Sequence, residues 1–135
     1  MVLDLSEGSD RLVDAARDMA TAWNAQVVAL HVVEFVPVEP MGESLMPTVQ
    51  IEDALIERAR AKLAEIGPRL GAADPVLRVE AGSIKAEVLR VAEDERADLI
   101  VVGSHERHGL AILVNFTEDT VLHAAHCDVL AVRLR

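Results

Sequence analysis

Ala97-Asp98-Leu99-Ile100-Val101-Val102-Gly103-Ser104-His105 contains a short, unbroken apolar run that ends on a glycine. A run of this kind suits a strand covered by helices on both faces, as in the centre of a parallel sheet. Gln26 to Val33 (Q-V-V-A-L-H-V-V) has the same character, and these two runs are expected to be the central strands. Outward from them, Val2 to Leu5, Val76 to Glu80 and Val129 to Leu134 are further runs rich in Val, Leu and Ile. All five alternate with longer segments whose apolar residues recur every three or four positions. That alternation is the pattern of an α/β protein with a parallel sheet and crossover helices.

The first helix is expected from about Ser9, an N-cap candidate with Asp10 in the first turn, to about Asn24. Leu12, Ala15, Ala16, Met19 and Trp23 line one of its faces. The second, from about Val49 to Leu70, carries Ile51, Leu55, Ala59, Leu63, Ile66 and Leu70 on one stripe, and Gly67-Pro68 is placed to break its end. The third runs from Ile84 to about Arg96 behind Ser83 as a cap, with Ile84, Val88 and Val91 inward. The fourth is expected from Thr117, followed by Glu118 and Asp119 at the positive end of the helix dipole, to about Ala125. One long irregular connection, from Glu34 to Thr48, holds Pro37, Pro40, Gly42 and Pro47. Such loops often carry function.

With 135 residues, 51% hydrophobic and 27% charged, the chain fits a single domain over residues 1–135. Its apolar runs fall far short of the ~18 residues that span a bilayer. Thirteen Lys and Arg against 23 Asp and Glu leave a net charge of -10, which repels a phosphate backbone, so nucleic acid is not an expected partner. Trp23, Phe35 and Phe116 are too few to form a stacking platform for single strands. The single cysteine, Cys127, forms no intramolecular disulfide, and the N-terminus lacks the basic then apolar segment of a signal peptide. The reducing cytoplasm is therefore the expected location.

Four segments together carry a family likeness: D-L-S-E-G-S from Asp4, A-L-H-V-V-E from Ala29, A-D-L-I-V-V-G-S-H from Ala97 and H-C-D-V-L-A-V-R from His126. With them the chain resembles the universal stress protein family over nearly its whole length. The resemblance implies a Rossmann-like open sheet of five parallel strands, in the order 3-2-1-4-5 counting the runs along the chain, with helices on both faces. It also implies a homodimer joined by antiparallel pairing of the last strands, here Val129 to Leu134. Family members place several residues before the Asp of the first strand, whereas Asp4 follows only Met1, Val2 and Leu3. The central strand is thus expected to be truncated, through a misplaced start codon or a trimmed chain.

Nucleotide-binding relatives carry Gly, two residues, Gly, nine residues, then Gly followed by Ser or Thr. Glycines let backbone amides approach phosphate oxygens, and the following helix offers its N-terminal N–H groups. Aligned on V-G-S-H, this chain supplies Gly103 and Ser104, then Glu106 and Phe116 where the other two glycines belong, then Thr117. A carboxylate at 106, a ring at 116 and the acids Glu118 and Asp119 all oppose a triphosphate, since like charges at ~4 Å repel by about 1 kcal/mol even in water. By the resemblance, Asp4 and the Val32 backbone match positions that meet the base and ribose. Asp4, Val32, Gly103, Ser104 and Thr117 thus outline a vestigial adenine-nucleotide site, with ATP or AMP as the alternative to no cofactor at all.

No catalytic constellation accompanies it. His105 with His108 and His123 with His126 are pairs at spacing three, and Cys127 follows the second, but surface and helix-end histidines are the expected reading and no metal is expected. His126 and Asp128 adjoin Cys127 in sequence, yet neighbours in a turn rarely point at one another, so a structural thiol is expected. His31, inside the second run, is expected to be a hydrogen-bonded core residue. No serine sits in a Gly-x-Ser-x-Gly elbow. The expectation is a non-enzymatic, cytoplasmic stress-response protein that acts as a homodimer through contacts with other proteins, with an AMP- or ATP-binding sensor as the alternative.

Overall fold

The structure, a computed structural model, describes residues 1–34, 48–105, 121 and 123–134. Along the chain come α1 (Ser9–Trp23), β1 (Val28–Glu34), α2 (Thr48–Ile66), a 3-10 turn (Gly67–Leu70), β2 (Val76–Gly82), α3 (Ile84–Asp94), β3 (Leu99–His105) and β4 (Asp128–Leu134). β1 pairs with β2 in parallel from Val28 opposite Val76 to Glu34 opposite Gly82. β3 pairs with β4 in parallel from Leu99 opposite Asp128 to His105 opposite Leu134. The expected α/β architecture with parallel strands is therefore present, arranged among the described residues as two two-stranded sheets.

The first run, Val2 to Leu5, is not a strand. It makes one parallel bridge, Val2 opposite Leu30, and its backbone bonds both sheets: the Leu3 N–H donates to Leu30 O at 2.8 Å and the Val2 N–H to Val101 O at 2.9 Å. Leu5 then turns into the left-handed region at φ 59°, which ends any extended run, because a Cβ tolerates that region poorly.

The two faces of the strands bury different residues, as a period of two dictates. On one face Leu12, Val13 and Ala20 of α1 and Leu63 of α2 pack with Leu3, Ala29, Val101 and Leu134. On the other Val88 and Val91 of α3 and Val121 pack with Leu30, Val32, Ile100 and Val102. Helices thus cover both faces, each large buried side chain contributing about 1.5–3 kcal/mol.

Helix ends follow local chemistry, with some departures from the sequence reading. α1 stops at Asn24, whose left-handed backbone (φ 50°) donates its N–H to Ala20 O. Its N-cap is Gly8 rather than Ser9, and the Ser9 hydroxyl goes elsewhere. Ser83 does precede α3, but it caps through its carbonyl, which accepts from the Glu87 N–H at 2.9 Å. α2 gives way to the 3-10 turn at Gly67-Pro68, and Gly71 (φ 68°) closes the turn where a Cβ would meet Arg17 Cγ at 2.8 Å. Two apolar stripes are shorter than their periodicity suggests: Trp23 is 65% exposed, and on α2 Ile51 (63%) and Leu55 (46%) are exposed while Ala59 and Leu63 are buried. Of the expected fourth helix, Val121 and residues 123–124 are helical, and the Ala125 N–H donates to Val121 O. Its start at Thr117 and the loop from Glu34 to Thr48, apart from its two end residues, lie outside the described residues.

Candidate functional site at the strand ends

Three chain segments run side by side: β1, the Met1–Leu3 segment and β3. The bridge of Val2 to Leu30 sets Asp4 level with Val32, and the Val2 N–H on Val101 O sets Leu3 level with Gly103. Asp4, Val32, Gly103 and Ser104 therefore gather at the C-terminal end of neighbouring segments, where open α/β sheets carry their ligand sites. Four of the five residues picked from sequence are brought to one end; Thr117, Glu106 and Phe116 lie outside the described residues.

Asp4 is exposed, and its Oδ1 is fully engaged by its own turn. It accepts from the Ser6 N–H at 3.0 Å, the Ser6 hydroxyl at 2.8 Å and the Ser9 hydroxyl at 2.9 Å. This is an Asx turn reinforced by a buried serine of α1, and it converts the end of the bridge into the start of the helix. Sequence reading treated Asp4 as a ligand contact and missed its two serine partners. The spacing Asp-x-Ser-x-x-Ser was the available signal. Beside it, His31 sets Nδ1 2.7 Å from Leu3 O; a carbonyl only accepts, so Nδ1 carries the proton and the histidine acts as the expected hydrogen-bonded structural residue.

Val32 is buried in the α3 face, leaving only its backbone to meet anything at the strand ends. Gly103 has a packing reason to be glycine: a Cβ there would stand 2.5 Å from Leu134 Cδ1 and 3.1 Å from its Cγ. The close approach of a phosphate is thus not the only account of this residue. Ser104 is half-buried, opposite Arg133 on β4.

The other sequence candidates separate in space. His126 is 81% exposed with Nε2 3.2 Å from Glu93 Oε1, and His108 lies outside the described residues. Among the described residues no group of three or more His, Cys, Asp or Glu is arranged to hold a metal ion. Cys127 lines a cavity of about 160 Å³ with Leu89, Ala92, Ile100 and Ala125, and burial, with Asp128 and Asp98 nearby, pushes its thiol up, away from the thiolate a nucleophile needs. Among the described residues no helix is long and apolar enough to cross a membrane.

Two features at the opposite end of the strands were not legible as residues. The Met1 amine is buried, donates to Val28 O at 2.7 Å, and is lowered by that burial to about 6. Upstream of it lies a groove of about 550 Å³.

Comparison with known proteins fits this geometry. The chain is 37% identical over 136 residues to universal stress protein A homolog 2 of Coxiella burnetii, covering 100% of this chain and 93% of the relative. Homolog 1 of the same organism is 36% identical over 134 residues, covering 98% and 93%. Among solved structures, a universal stress protein in complex with cAMP superposes with a TM-score of 0.72 at 26% identity, covering 98% of this chain and 92% of that one. The sequence model of the universal stress protein family matches residues 1–133, and with these relatives it establishes that the chain belongs to the universal stress protein family.

Proposed function

We propose that the protein is a non-enzymatic, cytoplasmic stress-response protein that acts as a homodimer through protein contacts, with its nucleotide motif degraded. The observation that carries this reading is the pair Glu106 and Phe116 at the positions of two phosphate-loop glycines. The engaged Asp4 Oδ1 and the packing role of Gly103 point the same way. In this reading the two parallel pairs are halves of one sheet joined through Met1–Leu3, in the order 3-2-1-4-5. β4 is then its edge. Leu130 on β4 is 38% exposed, which suits antiparallel pairing with a second copy.

A second reading, an adenine-nucleotide sensor, is favoured by one finding: a relative of 26% identity was solved with cAMP. A mononucleotide presents one phosphate, so it asks less of the missing glycines than ATP does. Asp4, the Val32 backbone, Gly103, Ser104 and Thr117 would hold it.

Calorimetric titration separates the two. ATP with Mg²⁺, and separately AMP and cAMP, are added to protein free of co-purified nucleotide. The first reading expects no heat and no shift in melting temperature at millimolar ligand. Micromolar binding of any of the three overturns it and installs the sensor; in that case Asp4→Ala should weaken binding at least tenfold.

A further inference from the structure

β2 has β1 on one side and, among the described residues, no strand on the other. The Val76 N–H donates to Val27 O at 2.9 Å, so Val76, Arg78, Glu80 and Gly82 turn their backbone groups toward β1. Alternate residues of a strand point their backbone groups to opposite sides. The N–H and C=O groups of Leu77, Val79 and Ala81 therefore face away from β1. Free edges are commonly blunted by a lysine, a proline or a bulge. Residues 76–82 contain no lysine and no proline, and they pair with β1 in unbroken register.

The order of residues along this edge is complementary to itself. When a second copy is turned about Val79 and laid antiparallel, Val79 meets Val79, Leu77 meets Ala81 and Arg78 meets Glu80. Val79 is an outward residue, so the axis falls on a pair that exchanges both main-chain bonds. Arg78 and Glu80 then occupy the pairs without main-chain bonds, where opposed Cα atoms come closest, at about 4.5 Å. The two nearest registers that keep the main-chain bonds set Arg78 against Arg78 or Glu80 against Glu80. Opposite charges across strands stabilise and like charges destabilise, so the pattern selects one register.

The side chains are already held for it. Arg78 is 24% exposed and gives three N–H groups to Glu80 and Glu95, while Arg90 holds the other oxygen of Glu80 at 2.8 Å. A guanidinium has further N–H groups to offer. On the opposite face Leu77 is 38% exposed and borders an open groove of about 300 Å³ between α2 and β2, lined also by Arg60, Leu63 and Val79.

We propose that β2 is a second self-association edge, where two copies of this chain join antiparallel about Val79 with Arg78 of each opposite Glu80 of the other. About six main-chain bonds hold the pair, and its apolar part is little more than Leu77 and Val79. Such a contact belongs with small, transient interfaces and forms at submillimolar rather than micromolar protein. In the proposed strand order β4 is the other edge, so a chain that used both would grow past a dimer.

Sedimentation velocity at submillimolar protein tests this with Arg78→Glu and Glu80→Arg. The first leaves two acids on the edge and the second two bases, so each alone should self-associate at least tenfold more weakly than the native chain. An equimolar mixture sets every acid opposite a base and should recover the association, which misfolded variants would not do. Leu77→Pro, which fills an outward N–H position with a ring, should abolish it, with circular dichroism checking the fold. Leu130→Pro on β4 should leave it in place, which separates this contact from the one at β4. A native chain that stays monomeric at submillimolar concentration overturns the proposal. So does a mixture no more associated than its components, which assigns the contact to another surface, or loss of all association in Leu130→Pro, which assigns it to β4.

Discussion

Asp4 shows how one carboxylate can look like a ligand contact and serve as a turn. Its Oδ1 gathers three donors from Ser6 and Ser9, and the site is exposed, so Asp4→Asn should cost about 1 kcal/mol, the range for a charge-assisted bond partly repaid by water. Urea unfolding checks this, and Ser9→Ala should give a similar loss if the bond rather than the charge is responsible. Gly103 makes a different prediction. Gly103→Ala places a methyl 2.5 Å from Leu134 Cδ1, and overpacking should cost about 1–3 kcal/mol. The atom met is Leu134 Cδ1, the far end of a flexible side chain, so Leu134→Val in the same protein should recover part of the loss; a double-mutant cycle that finds the two changes additive would refute the contact. The Met1 amine sets a pH dependence. Its folded value of about 6 lies below the ordinary 8.0, so between them the unfolded state binds more protons and stability rises with pH, by up to about 2–3 kcal/mol from pH 5 to 9. The difference between native and Nα-acetylated protein across that range isolates the effect from the histidines. No difference would mean that the amine reaches water.

At the scale of elements, periodicity locates faces better than it measures their buried length. The expected stripe runs from Ile51 to Leu70, but only its later part is covered: Leu63 of α2 and Leu70 of the 3-10 turn pack with Leu3 and Ala29, and Ala59 is buried, while Ile51 and Leu55 are exposed. Leu55→Glu should therefore change stability by less than about 0.5 kcal/mol, whereas Leu63→Ala should cost about 2–5 kcal/mol. Chemical denaturation of the two variants is a direct check, and a large loss for Leu55→Glu would mean that its end of the helix is covered. The four full strands were legible because continuous Val, Leu and Ile runs between helical segments have few other solutions. The first run was legible as apolar but not as a bridge, since its pairing stops where Leu5 leaves the extended region. The turn of Leu5 into the left-handed region carries no residue signal, and the partners of Asp4 become visible only once α1 brings Ser9 back to it. Of the candidate site, the co-location of Asp4, Val32, Gly103 and Ser104 followed from the resemblance. The packing of Gly103 against Leu134 did not, because β3 and β4 are joined across residues that reveal nothing of their register.

For the whole molecule, charge and the sheet edge make a joint prediction about the proposed dimer. Two chains of net charge -10 repel, so an edge-to-edge dimer through β4 has to overcome that repulsion with backbone pairing and the burial of Leu130. Salt shortens the Debye length from about 30 Å at 0.01 M to about 8 Å at 0.15 M, so the dimer should tighten as ionic strength rises through this range. An interface held by cross-chain ion pairs would loosen instead. Light scattering at micromolar protein across a salt series distinguishes the two. Leu130→Pro, which removes a backbone donor and fixes φ in an edge strand, should shift the population toward monomer at every salt concentration while the melting of the monomer falls much less. A strict monomer in 0.5 M salt would remove the β4 interface, and with it the homodimer from the proposed function.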